Sequence, residues 1–323
     1  WPDNFQFKVL NFPRLWTQFG LSIQTFLDPI DILFTPAHTL PLLRKPGLKT
    51  VMTVHDLGAE YLPSMHQLKQ RLYLGFITKF QLKSTTKLIA VSKATKKDLI
   101  DKAGIDSEKI DVIYEGYTKI SNPNDSLRDV LNKFDLKEKD YFLFVGTIQP
   151  RKNLYNLITA YDSYLGPFDG VPKLIIAGDK GWGFDEANRI TNLLGLEDKV
   201  KFIGRVADSE LSSLYKGSIA LTYPSRFEGF GLPILEAFEY GTPVITSNVS
   251  SMPEVAEKAA ILVDPKDINE IACAMDQFLD RKHYPSEKDF AKSERFSVNE
   301  KNRQKYIKLG KEQLKKFSWE KCA

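Results

Sequence analysis

Between residues 141 and 263 short apolar runs alternate with amphipathic stretches, and this alternation constrains the fold more than any other feature of the chain. The runs at 141–145, 173–177, 199–203, 219–223, 243–246 and 260–263 read as strands. Helices are expected near 153–165, 184–194, 209–216 and 232–240, and a last one over 268–281. Strands this apolar are covered on both faces, so strands alternating with helices predict an α/β domain built on a doubly wound parallel sheet. No internal repeat or low-complexity tract interrupts the pattern.

Within that region, residues 225–241 read Ser-Arg-Phe-Glu-Gly-Phe-Gly-Leu-Pro-Ile-Leu-Glu-Ala-Phe-Glu-Tyr-Gly. Two carboxylates, Glu228 and Glu236, stand on either side of a glycine-bracketed turn. Gly229 and Gly231 allow the bend, Pro233 is tolerated in a first helical turn, and Gly241 stops the helix. A short helix therefore starts near Leu232. The amides of Gly229, Phe230, Gly231 and Leu232 would face the loop, and the helix dipole adds about 0.3–1 kcal/mol toward a nearby anion. A diphosphate fits there, with Glu236 reaching back toward a ligand hydroxyl and Glu228 approaching from the loop. Ser225 either donates to a phosphate or caps the turn. The plain alternative is an ordinary strand-loop-helix corner with solvated glutamates.

The first strand of this region runs into Gly146-Thr147-Ile148-Gln149-Pro150-Arg151-Lys152-Asn153. Ligands collect beyond the carboxyl ends of strands in open parallel sheets, and Arg151 and Lys152 stand at such an end. A guanidinium grips two oxygens as a fork and an ammonium acts as a point charge, a pair suited to a diphosphate, although an exposed Arg-Lys pair is also an ordinary solvated surface feature.

Earlier in the chain, residues 13–27 carry Trp16, Phe19, Ile23 and Phe26 at helical spacing, which predicts an amphipathic helix packed on a sheet, with this stripe in the core; the alternative is an aromatic binding face. Strands follow at 31–35 and 49–54, the second ending at His55-Asp56, again on the ligand edge of a sheet. His55 is either a structural histidine or a ligand contact. A long basic helix is expected over 61–83, then a strand at 87–91, a helix opened by Ser92 and a strand at 109–114. Polar residues from 118 to 139, with Asn-Pro-Asn-Asp at 122–125, form the candidate linker.

At 323 residues the chain suits two domains, and 42% hydrophobic with 27% charged residues is ordinary for a globular protein. No apolar run has the length of a transmembrane helix and no signal peptide opens the chain. Two cysteines, Cys273 and Cys322, make neither a disulfide framework nor a zinc site, so a cytoplasmic setting is expected. The net charge of +4 is unevenly spread: nine Lys or Arg stand against two Asp between 66 and 102, and residues 301–321 are again Lys-rich. These are either solvated helix faces or surfaces attracted to anionic phospholipid. No nucleic-acid partner is expected, and neither a P-loop nor a dinucleotide-binding glycine motif follows any strand.

The stretch from Glu228 to Glu236 resembles the E-x7-E signature of retaining GT-B glycosyltransferases of family 4, the group 1 glycosyl transferases, and looks mannosyltransferase-like. The string Thr53-Val54-His55-Asp56-Leu57 is similar to the same family's strand-end histidine, which approaches the donor sugar. That resemblance implies two Rossmann-like doubly wound domains facing across a cleft: an acceptor-side domain over 1–122, a nucleotide-sugar-binding domain over 123–316, and the start of a cross-over helix at 317–323. It also implies that the N-terminal domain is incomplete, since the chain opens on Trp1 without the family's first strand and glycine-rich acceptor loop.

Carried over residue by residue, the resemblance implies that Arg151 and Lys152 grip the diphosphate, that Glu236 binds the ribose and Glu228 the sugar ring, and that the backbone at Ile203 and Gly204 reads the base. His55 would orient the reacting carbon, with Asp56 fixing the loop or the imidazole tautomer. Two departures stand out: Thr147 replaces a common Arg, leaving Arg151 to supply both contacts, and Glu115-Gly116-Tyr117 stands where relatives have Asn-Gly-Val. The expected reaction is retaining hexosyl transfer from a nucleoside-diphosphate sugar to a glycan or lipid-linked acceptor, with no cofactor and no metal, consistent with the lack of an Asp-x-Asp triplet. The setting implied is cytoplasmic, peripheral on the inner face of a membrane. The rival readings are a nucleotide-sugar epimerase of the same architecture and a fragment that binds donor without turnover.

Overall fold

The computed structural model describes residues 4–12, 15–37, 39–57, 79–119, 126–165, 171–281 and 296–322. Most of the expected basic helix and all of the Asn-Pro-Asn-Asp linker lie outside the described residues. The chain divides into two compact units, Trp1–Tyr114 and Glu115–Ala323. The division falls ahead of the boundary at 122 expected from composition, because residues 115–119 and the 317–322 segment both pack within the second unit.

The first unit holds a four-stranded parallel sheet in the order β1-β2-β3-β4, formed by Ile32–Thr35, Lys49–Val54, Lys87–Ala90 and Ile110–Val112. Its core is aliphatic, with Leu40, Met52, Val54, Leu88 and Leu99 fully enclosed. Helix α1 (Ser22–Leu27) continues a π-helical turn at Thr17–Leu21, and α2 (Lys93–Asp101) is capped by Ser92, whose hydroxyl accepts from the Thr95 amide at 3.0 Å.

The aromatic stripe is a correction. Trp16, Phe19, Ile23 and Phe26 are each about half exposed, while Gly20, Ser22 and Thr25 form the buried side. Ser22 Oγ donates to the Leu43 carbonyl at 2.5 Å, and Thr25 Oγ1 accepts from the Lys45 amide at 3.1 Å. Small hydroxyl residues that dock the helix on the 40–45 loop outcompete the larger apolar ones for the inner face.

The second unit carries a six-stranded parallel sheet ordered β10-β9-β8-β5-β6-β7. Its strands are β5 Tyr141–Val145, β6 Lys173–Ala177, β7 Val200–Gly204, β8 Leu221–Tyr223, β9 Val244–Ser247 and β10 Ala260–Val263. The doubly wound pattern is as expected. Every residue of β5, β8 and β9 is buried, which explains their unbroken apolar character. The chain runs outward from β5 through β6 and β7, then returns to the other side of β5 and continues through β8, β9 and β10. The order therefore reverses between β5 and β8.

Helices α3 (Leu127–Lys133), α4 (Leu154–Leu165), α5 (Phe184–Leu193), α6 (Asp208–Gly217), α7 (Leu232–Glu239), α8 (Met252–Ala256) and α9 (Ile268–Asp276) connect the strands, followed by α10 (Glu300–Leu314) and α11 (Trp319–Cys322). The last expected helix is shorter than 268–281: residues Leu279–Arg281 form β11, antiparallel to Phe296–Val298, β12. That partner comes from distant sequence, so no local signal marks the change. Arg303 of α10 is buried and donates to the Ser218 and Ile219 carbonyls, tying this helix to the entrance of β8.

Candidate functional site

The loops after β5 and β8 flank the point where strand order reverses, the place where α/β sheets present their crevice. After β5, a 3₁₀ turn at Pro150–Lys152 raises Arg151 and Lys152 above the sheet edge. Asn153 then adopts a left-handed conformation and stitches the crevice together. Its Nδ2 donates to the carbonyls of Pro224 (3.0 Å) and Pro265 (2.6 Å), while its Oδ1 accepts from Arg226 Nε (2.9 Å).

From the other side, Glu228 reaches both cations. Arg151 Nη1 lies 2.5 Å from Oε2 and Lys152 Nζ 2.7 Å from Oε1, with Lys152 and Glu228 both buried. Lys152 also donates to the Tyr223 hydroxyl. Arg151 Nε donates to Gln149 Oε1 at 3.0 Å and its Nη1 to the Phe227 carbonyl at 3.2 Å. Burial opposes the ionised form of Glu228, but Lys152 and Arg151 more than offset it and hold the carboxyl below its ordinary range. Burial, reinforced by Glu228, raises the Tyr223 hydroxyl well above its usual value, so it remains protonated.

The start of α7 is as the glycines predicted. Gly231 is the N-cap at φ 111°, a conformation that L side chains rarely adopt, and Pro233 sits in the first turn. Ser251 Oγ donates to the carbonyls of Glu228 (2.9 Å) and Phe230 (2.8 Å), and Ser250 Oγ to that of Glu228 (2.5 Å). These bonds pin the loop backbone and turn the Gly229 to Leu232 segment into the helix. Phe230 is buried edge-on against Phe317.

One turn into α7, Glu236 is half-buried and accepts from the Tyr215 hydroxyl at 2.8 Å. Burial raises its carboxyl above the usual range, with nearby Asp208 adding to the effect against the lowering hydrogen bond of Tyr215. Glu236 lines a cavity of about 530 Å³ with Leu232, Asp208, Ser209, Leu211, Trp319 and the 116–119 segment. Tyr117 and Lys119 are both held by Glu239, at 3.0 and 2.7 Å, and Trp319 Nε1 donates to Thr118 Oγ1 at 3.0 Å.

Ile203 and Gly204 end β7, half-buried on the same carboxyl edge, where the Gly204 carbonyl accepts from the Gly178 amide at 2.8 Å. Ser225 is fully enclosed at the end of β8, where its backbone carbonyl accepts from Ser247 Oγ at 2.6 Å. His55 belongs to the first unit, exposed at the end of β2. Its Nε2 lies 2.9 Å from the Pro36 carbonyl, which only accepts, so this nitrogen carries the proton. Among the described residues, no group of three or more His, Cys, Asp or Glu is placed to hold a metal.

Sequence reasoning brought the cations and Glu228 to one junction but did not pair them. It also missed Tyr223, Tyr215 and Asn153, whose roles depend on strands and helices distant in sequence. The cavity wall at 116–119 was legible only as an odd Glu-Gly-Tyr turn.

Two parallel sheets with a crevice at the reversal of strand order define a GT-B-type α/β protein, and the comparisons agree. Residues 128–303 match the model for glycosyl transferases group 1, and residues 3–118 match that for glycosyltransferase family 4. The chain belongs to the glycosyl transferases group 1 family. It is 30% identical to O-antigen chain mannosyltransferase B of Escherichia coli, over 85% of this chain and 68% of that protein. It is 34% identical to O-antigen chain mannosyltransferase RfbU of Salmonella typhimurium, over 73% of this chain and 61% of that one. The chain thus spans roughly two thirds of these relatives' length. Sucrose-phosphate synthase from Thermosynechococcus elongatus shares the fold with a TM-score of 0.69 at 20% identity, covering 94% of this chain and 73% of that one.

Proposed function

We propose that this protein transfers a hexose, with retention of configuration, from a nucleoside-diphosphate sugar to a glycan or lipid-linked acceptor. The observation that carries the reading is the convergence of Arg151, Lys152, Glu228 and the amino end of α7 at the reversal point of the second sheet. Two mannosyltransferase relatives favour mannose as the sugar.

In the proposed reaction, the acceptor hydroxyl oxygen bonds to the anomeric carbon as the bond from that carbon to the diphosphate breaks. The acceptor proton passes to the leaving phosphate oxygen on the same face. Negative charge grows on the diphosphate, and Arg151, Lys152 and the 229–232 amides oppose it, so the step needs no metal. Glu236 binds the ribose from the wall of the cavity, Ile203 and Gly204 lie toward the base, and Glu228 holds a sugar hydroxyl. His55 donates to or accepts from a sugar hydroxyl and orients the ring. Among the described residues no helix is long and apolar enough to cross a membrane. A lipid-linked acceptor would bring the protein to a membrane's inner face as a peripheral partner, with the Lys-rich stretches as its contact.

Calorimetry with GDP, UDP, ADP, dTDP and their common sugar conjugates tests the donor site. Micromolar binding of one nucleotide, weakened in Glu236→Gln, supports it, and no binding to any of them overturns it. Release of free nucleoside diphosphate only when acceptor is present separates transfer from epimerisation.

A further inference from the structure

The two cations assigned to the donor's diphosphate are already committed. Glu228 presents one oxygen to each of them, Oε2 to Arg151 and Oε1 to Lys152, and Arg151 also donates to Gln149 Oε1 and the Phe227 carbonyl. A carboxylate spanning a guanidinium and an ammonium offers the same pattern of charge and acceptors as two phosphate oxygens. The carboxylate and a diphosphate therefore compete for one pair of partners.

We infer that Glu228 is an internal stand-in for the diphosphate, displaced from Arg151 and Lys152 when a nucleotide binds and so delivered to the sugar. The inference rests on the donor site proposed above. It goes further by giving Glu228 two successive partners and by making product release depend on the exchange.

The surrounding bonds limit how the exchange can happen. The Arg226 amide donates to the Arg151 carbonyl at 2.7 Å, and Arg226 Nε to Asn153 Oδ1. Ser250 and Ser251 hold the carbonyl of Glu228 from the opposite side. With the backbone fixed at both flanks, displacement proceeds by rotation of the Glu228 side chain rather than by opening of the loop. Lys152 is held further by its bond to the Tyr223 hydroxyl. The cations stay in place and the carboxylate exchanges.

This arrangement treats donor and product differently. A nucleotide sugar that expels Glu228 offers it sugar hydroxyls in return. A nucleoside diphosphate offers nothing, and the carboxylate then competes to reclaim the cations. Removing the charge of Glu228 should therefore tighten the product and help the donor less.

The test compares wild type with Glu228→Gln, using calorimetry with the four nucleoside diphosphates and their sugar conjugates. The best-binding nucleoside diphosphate is expected to bind the variant roughly tenfold more tightly, the scale of one charge-assisted bond that no longer has to be broken. Its sugar conjugate should gain less, and product inhibition should strengthen. Equal or weaker nucleoside diphosphate binding by a folded variant would overturn the exchange while leaving the donor site standing. Failure of every nucleotide to bind wild type would overturn both. A crystal structure of wild type with the same nucleoside diphosphate gives a readout independent of the variant's folding. Glu228 Oε1 beyond ion-pair distance of Lys152 Nζ supports the exchange, and an intact pair overturns it.

Discussion

Lys152 and Glu228 meet across the reversal point of the second sheet, Nζ 2.7 Å from Oε1, with both side chains buried. Charges removed from water in this way are stable only as partners, so losing either leaves the other uncompensated. Lys152→Met is expected to destabilise the second unit by about 3–5 kcal/mol, and the double variant Lys152→Met/Glu228→Gln by less than the sum of the singles. Urea unfolding of the four proteins checks this, and additive losses would show that the pair is not coupled.

The two glutamates titrate with opposite consequences. Glu228 is held below its ordinary value of 4.5, so its contribution is complete above that value and is lost as pH falls through the lowered one. Glu236 is raised above 4.5, so the folded protein binds its proton more readily than the unfolded chain, and this group adds stability as pH falls toward the raised value. At neutral pH, Glu236→Gln is therefore expected to raise Tm by roughly 2–4 °C while weakening nucleotide binding. Thermal unfolding of wild type and the variant from about pH 2 to 8, together with calorimetry, checks both signs.

Gly116 is a close-approach position. A Cβ there would stand 2.4 Å from the Trp319 amide nitrogen and 2.7 Å from the Ser318 carbonyl carbon, both backbone atoms with little room to yield. Gly116→Ala should cost roughly 1–3 kcal/mol and shift the wall of the Glu236 cavity. The change should appear as a lower Tm and altered Trp319 emission; an unchanged Tm would contradict the packing.

His55 is proposed to act on the sugar and not on the diphosphate. His55→Ala should leave nucleoside diphosphate binding unchanged and lower kcat on the order of tenfold to a hundredfold. Equal losses in binding and turnover would assign the ring a structural role at the Pro36 carbonyl instead.

Strand-helix alternation, the glycines around Glu228 and the basic pair after β5 were legible in the sequence because each is a local requirement. Apolar runs need burial on both faces, Gly231 needs its positive φ, and a cation pair after a strand lands on the sheet's ligand edge. The stripe at Trp16, Phe19, Ile23 and Phe26 misled because periodicity states which side chains share a face and not which face is covered. The same limit hid β11, whose partner strand joins it from residues 296–298. Only the tertiary structure decided that Glu228 neutralises Lys152 and Arg151, that Tyr215 and Tyr223 each attend one of the two site carboxylates or its cation, and that residues 116–119 wall the cavity. Those contacts join residues 21 to more than 200 positions apart, and the energy of a buried charge depends on neighbours that local sequence does not specify.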